Sequence, residues 1–172
     1  ISAIEASASG IHWTFAPMVD IGRDPRWGRV MEDAGEDTYL GSRIAYARVK
    51  GFQSNRLGDI DTIMACAKHF PGHGDVAVDS HYDLPVITKN MTELDSVELV
   101  PFKAVFDAGI GSVMIAHLYI PAIDNTANRA TSISKNNVTD LLRNSLHYNG
   151  LTFTDALEMK GVTKYFPDGT IS

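Results

Sequence analysis

The sequence predicts an α/β fold built on a parallel sheet. Three observations carry this. Short apolar runs alternate with helix-like segments four times along the chain. The runs are unbroken rather than alternating, as in strands buried on both faces. The longest polar loops follow the strands, not the helices. Strand–helix alternation gives βαβ units, and two architectures accommodate them: a doubly wound sheet, or part of a (β/α)8 barrel. A complete barrel takes about 250 residues. Four strands in a chain of 172 residues make roughly half of one.

Each element has a local reason. Ile1–Gly10 mixes small and apolar residues and reads as the end of a helix. Thr14–Val19 is aromatic and β-branched, hence a strand. Asp20–Glu36 is rich in Gly, Arg, Asp and Pro and reads as a loop. Asp37–Gln53 places Tyr39, Leu40, Ile44, Ala45, Ala47 and Val49 near helical spacing, with an end near Gly51. Ile63–Ala67 is the second strand, and His69–Leu84 a long loop. Thr92–Ala108 is a helix capped by Thr92 and followed by Gly109. Ser112–Ala116 is the third strand, and Pro121–Thr131 a loop. Ser134–Leu146 is a helix capped by Ser134, closed by Gly150. Leu151–Phe153 is the fourth strand, ending at Asp155. A polar tail runs from Phe166 to Ser172.

Composition narrows the function. Apolar residues are 44% and charged residues 21% of the chain, as in globular domains and unlike disordered or low-complexity chains. The net charge of −6 argues against a nucleic-acid partner. No apolar run is long enough to span a bilayer. The single cysteine, Cys66, permits no internal disulfide and reads as an inert core thiol. The chain opens at Ile1 without a basic stretch followed by an apolar one, so no signal peptide is read. Both ends look cut, and periplasmic and cytoplasmic locations both remain open.

In either architecture the C-terminal ends of the strands converge on one site. Here they deliver Asp20–Arg29, Lys68–His81, His117-Leu-Tyr119 and Thr154-Asp155. Asp155, at a rigid strand terminus, is the candidate nucleophile; the competing reading is a helix cap. The segment His69–His81 holds three His and two Asp in thirteen residues. Asp79 beside His81 can fix the imidazole tautomer, and an imidazole titrates where general acid–base work needs it. Pro71, Gly72 and Gly74 are read as giving this loop freedom to move. A metal site on His69, His73, His81 and an Asp is the rival, but Lys68 at its mouth would repel a cation. Lys68 and His69 end a buried strand, where they bind substrate hydroxyls or form a structural ion pair. Among Arg23, Arg26 and Arg29 and the acids around them, a solvated salt-bridge network is expected. Trp27 either stacks on a sugar face or anchors the loop. The two sequons at Asn90 and Asn137 coincide with expected helix caps and are set aside.

These residues also carry a resemblance. Lys68-His-Phe-Pro-Gly-His-Gly74, followed by Asp79-Ser-His81, resembles the signature of the β-N-acetylglucosaminidase branch of glycoside hydrolase family 3. Phe153-Thr-Asp155-Ala-Leu-Glu-Met159 resembles that family's nucleophile segment, and Ser112–His117 and Leu141–Gly150 the same branch. Phe15–Asp20, Arg23–Arg29 and Gly35–Asp37 look more like the β-glucosidase branch. The resemblance implies a (β/α)8 TIM-barrel-like fold, present as an incomplete fragment of about four βα units. Residues 1–172 would be a partial N-terminal catalytic barrel domain, lacking the barrel's beginning, where the family's first sugar-binding Asp usually lies, and the strands after Asp155.

The resemblance implies a retaining, exo-acting β-N-acetylhexosaminidase that removes terminal β-linked N-acetylglucosamine through a covalent glycosyl-enzyme on Asp155. His81 would be the acid–base and Asp79 its partner. Arg29, with Arg26 in reserve, Lys68 and His69 would hold sugar hydroxyls. No metal or cofactor is implied; the partner is a carbohydrate, and the oligomeric state is left open. The alternatives are a β-glucosidase of the same family and a non-catalytic carbohydrate-binding barrel fragment. A His acid–base lowers the negative charge near the sugar, so phosphorolysis is a variant of the same chemistry.

Overall fold

The computed structural model describes residues 1–54, 56 and 58–166; the expected tail beyond Phe166 lies outside them. The elements follow the order α1 (Ser2–Ala8), α2 (Thr38–Gln53), β1 (Cys66–Phe70), α3 (Met91–Ser96), α4 (Leu99–Asp107), β2 (Ser112–Ile115), a π-helix (Asn136–Ser145), β3 (Leu151–Thr154) and α5 (Lys160–Thr163), with short 3-10 turns at Pro25–Trp27 and Thr131–Ile133. The strands form one parallel sheet in the order β1-β2-β3.

The first expected strand is not a strand. Trp13 and Met18 make isolated parallel bridges to Met64 and Lys68, so the segment runs beside β1 without a continuous ladder. Pro17 lies between the bridges and has no N–H to donate. The second strand sits at Cys66–Phe70, three residues later than expected, so Lys68 and His69 lie inside it rather than at its end. The Lys68–His69 peptide is cis.

Asp37 caps α2, its carboxylate accepting the Leu40 N–H at 2.6 Å. The helix buries Gly41, Ala45, Val49 and Gln53, one face at four-residue spacing. Gln53 then ties the helix end to the sheet. Its Oε1 accepts the N–H groups of Ala65 and Gly111, each at 2.9 Å, and its Nε2 donates to Gly109 O.

The single helix expected over Thr92–Ala108 is two, α3 and α4. Pro101 is the cause: it cannot donate to the carbonyl of Val97, and its ring crowds that carbonyl. The cap is Asn90, not Thr92, in a reciprocal capping box with Glu93. The expected helix after Ser134 is present but wound as a π-helix, with the Leu146 N–H on Leu141 O at 2.9 Å. Ser134 Oγ accepts the Asn137 N–H at its start. Arg143 fastens this helix to β3 by donating to the carbonyls of Tyr148 and Gly150, each at 2.8 Å, and to the Thr152 hydroxyl.

The core lies between these helices and the sheet. Val49, Phe70, Leu99, Phe102, Val113, Ile115 and Leu142 belong to one buried cluster, with Phe102 edge-on to Phe70 at 5.2 Å. Cys66 is buried within the sheet, and burial pushes its thiol pKa up. β1 and β2 are buried as expected, but β3 exposes Leu151 and Thr154, since no strand pairs with its outer side among the described residues. A second apolar cluster, including Met18, Trp27, Val76, Leu94 and Leu118, packs the loops. Phe70, Ile115 and Thr154 stand level across the sheet, so the residues that follow them emerge at one edge.

Candidate active site

At that edge a cavity of about 390 Å³ is lined by Phe15, Arg29, Lys68, His69, His81, Met114, Thr154, Asp155 and Ala156. Its size is in the range of small-ligand sites. Five of the six residues expected from the sequence line it, and the sixth, Asp79, is bonded to His81.

Asp155 follows β3 directly. Its N–H is held by Ile115 O at 2.9 Å, and its Oδ1 accepts the Ala156 N–H at 2.9 Å. It caps no helix, because α5 begins at Lys160 and Met159 occupies its N-cap position. Its Oδ2 is 3.8 Å from His69 Nε2. Arg29 Nη1 lies 3.2 Å from the same nitrogen. Guanidinium only donates, so His69 Nε2 accepts and Nδ1 carries the ring proton, directed at Asp20 Oδ2 at 2.8 Å.

Asp20 is the buried centre of this arrangement. Its carboxylate accepts the backbone N–H of His69 at 3.1 Å and of His73 at 2.7 Å, besides the His69 ring. Burial alone would raise its pKa. The facing His69 ring and its hydrogen bonds, then His73, outweigh that and hold it below the ordinary value. Its role is not legible from spacing: it ends an apolar run and is indistinguishable there from a loop acid.

Asp79 and His81 form the expected pair. Asp79 Oδ1 accepts both the His81 N–H at 2.9 Å and its Nδ1–H at 2.6 Å. Nε2 is the ring nitrogen that Asp79 does not engage. Burial pushes the Asp79 pKa up, but the His81 N–H and imidazole overcome it, and the carboxyl sits below its usual range. The His81 side chain is 52% exposed and that of Asp79 20%.

The glycines of this loop serve close approach rather than freedom. A Cβ on Gly74 would lie 2.1 Å from Ile21 O, and one on Gly72, at φ +128°, 2.7 Å from Glu98 Cβ. Gly74 O also accepts the N–H groups of Arg23 and Asp24. The first half of the segment is therefore pinned.

Lys68 makes no ion pair or hydrogen bond through its ammonium among the described residues, which leaves that group to the cavity. Arg29 reaches the cavity, while Arg26 points to solvent and pairs with Asp24 at 2.6 Å; this pair and Arg29–Glu32 are the parts of the expected salt-bridge network nearest the site. Trp27 is fully buried and stacked on His73, with centroids 5.6 Å apart, so it is a loop anchor and presents no face to a sugar. Among the described residues no three His, Cys, Asp or Glu side chains converge as metal ligands, and His73 points to Ser80 instead.

Local spacing marks His117 only as a strand-end residue. It is fully buried, accepting from Ser132 Oγ at Nδ1 (2.7 Å) and donating from Nε2 to Ala156 O at 2.9 Å. It thus holds the turn that carries Asp155. Burial lowers its pKa despite the opposing pull of the Ala156 carbonyl and Asp155, which keeps it neutral for that task. No helix among the described residues is long and apolar enough to cross a membrane.

Comparison with known proteins agrees with this architecture. The profile of the glycosyl hydrolase family 3 N terminal domain matches residues 1–169. The chain is 33% identical over 173 residues to a β-hexosaminidase A of Pseudoalteromonas piscicida, with 94% of this chain and 28% of that protein covered. It is 37% identical over 165 residues to a periplasmic β-glucosidase of Salmonella typhimurium, with 96% and 20% covered. A solved family 3 β-N-acetylglucosaminidase from Paenibacillus sp. superposes with a TM-score of 0.90 at 35% identity, covering 96% of this chain and 30% of that one. The sheet and helices are accordingly part of a (β/α)8-like barrel, with three strands in place among the described residues. The chain spans less than a third of the length of each of these three proteins. By the profile that covers nearly all of it and by these relatives, the chain belongs to glycoside hydrolase family 3.

Proposed function

We propose that this chain is a partial catalytic barrel domain of a retaining β-N-acetylhexosaminidase that removes terminal, non-reducing β-linked N-acetylglucosamine. The observation that carries the reading is the pairing of a strand-end carboxylate, Asp155, with an Asp79–His81 dyad on one cavity. Two carboxylates are the usual equipment for retention; here the second is an imidazole backed by a carboxylate.

In this reading Asp155 attacks the anomeric carbon. The glycosidic bond breaks as His81 Nε2–H protonates the leaving oxygen, and Asp79 stabilises the resulting ring through Nδ1–H. Neutral His81 then takes a proton from water as the water displaces Asp155. Arg29, Lys68 and His69 hold sugar hydroxyls. Asp20 keeps His69 in the tautomer whose Nε2 faces Arg29 and the cavity. A second reading, a β-glucosidase, is favoured by the 37% identity to a β-glucosidase.

The test is turnover by the full-length protein on matched aryl β-glycosides of N-acetylglucosamine, glucose and xylose, with and without phosphate. Preference for N-acetylglucosamine is expected. Preference for glucose supports the second reading, and phosphate-dependent turnover identifies phosphorolysis. Sugar binding without turnover of any of them leaves a carbohydrate-binding module. Asp155→Asn is expected to abolish turnover, and a fluorinated glycosyl donor to label the Asp155 peptide. His81→Ala is expected to slow turnover while sparing activated aryl glycosides; equal activity of both variants with wild type overturns the assignment.

A further inference from the structure

Between the two members of the dyad stands Ser80, and it is fully buried. Its hydroxyl lies 3.0 Å from His73 Nε2. Its carbonyl accepts the Gly161 N–H at 3.1 Å. Both partners are tied to the cavity by separate routes. The His73 N–H donates to Asp20, the carboxylate that orients His69. Gly161 lies in α5, which follows the Asp155 turn, and α5 also packs Val162 against Leu84 and Ala130. The His73 ring cannot easily turn away: Trp27 stacks on it and His69 meets it edge-on at 5.7 Å. Ser80 is therefore the one point of the exposed dyad segment that is fixed both by the β1 strand end and by the β3 strand end.

We propose that His73 and Ser80 are positioning residues for the acid–base dyad, the bond between His73 Nε2 and Ser80 Oγ latching the loop with His81 on the cavity. The proposal rests on the reading of His81 as acid–base. Neither residue touches substrate. With His73 and Gly74 pinned by their own packing, a backbone excursion of His81 pulls on the bonds that Ser80 makes to His73 and Gly161. A neutral His73 suits the latch, and burial, with the neighbouring His69, brings its pKa down to about 4.

The experiment uses the full-length protein with Ser80→Ala, which deletes one oxygen and keeps the carbonyl bond to Gly161. His73→Gln is the second variant, in case the first fails to fold. His81→Ala is run beside them. Each is assayed on N-acetylglucosaminides with a dinitrophenyl leaving group, which needs no protonation, and a methylphenyl leaving group, which does. Expected is a loss of kcat/KM on the order of 10- to 100-fold for the methylphenyl substrate, the scale of a misplaced catalytic group, with the dinitrophenyl substrate within about threefold. A latch also predicts a flattened pH profile on the methylphenyl substrate. Equal losses on both substrates, or none on either, overturn the latch while a leaving-group-dependent His81→Ala keeps the dyad. If His81→Ala is itself indifferent to the leaving group, the dyad assignment falls and the latch with it.

Discussion

Two buried imidazoles make stability depend on pH. His73 titrates at about 4 in the folded chain, with burial the largest cause, against an ordinary value of 6.5. Between these values the unfolded chain binds a proton that the folded one refuses. The stabilisation is therefore complete above pH 6.5 and is lost as pH falls toward 4. The shift corresponds to about 3 kcal/mol in full, of which about 2 kcal/mol is gone by pH 5. His117, also depressed by burial, adds in the same direction. The expected outcome is a urea midpoint that drops from pH 7.5 to pH 5 in the wild type and drops less in His73→Gln; equal drops would contradict the assignment. The residue chemistry that mattered was half legible. Asp79 and His81 are two apart, and their bond needs no distant partner. Asp20 and His69 are 49 positions apart, and only the sheet brings them together.

At the scale of elements, the loop between β1 and α3 is held by contact. Gly74→Ala would push a methyl group onto the Ile21 carbonyl, a backbone atom that cannot rotate aside. Overpacking of this kind costs about 1–3 kcal/mol or more. A lower Tm and a lower kcat together are expected; in a freely moving loop alanine would be tolerated. Lys89 reinforces the same segment by pairing with Asp75 and with the buried Glu98. Asn90→Ala removes the capping box of α3 and is expected to cost about 1 kcal/mol, read as a lower urea midpoint with unchanged kcat, because the cap lies away from the cavity. Sequence periodicity found these helices but joined α3 to α4. The pattern of apolar residues is continuous across the break, and the local veto came from Pro101.

For the whole molecule, the sheet and its helices share one core, and Phe102 is central to it, fully buried against Phe70. Phe102→Ala is expected to cost about 3–5 kcal/mol, visible as a fall in Tm with early loss of activity, since β1 carries both Phe70 and His69. An unfolding free energy unchanged to within about 1 kcal/mol would show that the core collapses around the gap.

The sequence by itself determined the α/β class, the parallel alternation, the position of Asp155 after a strand and the Asp79–His81 pair. Each rests on local chemistry: apolar periodicity, turn residues and neighbours two apart. The tertiary structure decided the rest. It denied the Thr14–Val19 segment a continuous ladder, because pairing depends on a donor that Pro17 lacks. It buried Trp27, which composition left equally suited to a sugar face. It brought Arg29, already the first choice, to the cavity and left Arg26 in solvent, and it converted Gly72 and Gly74 from hinges into contact points. It also made Asp20, His73 and His117 part of the site's support. Those roles depend on burial and on partners far away in the chain, which no local pattern encodes and which the register of a parallel sheet imposes.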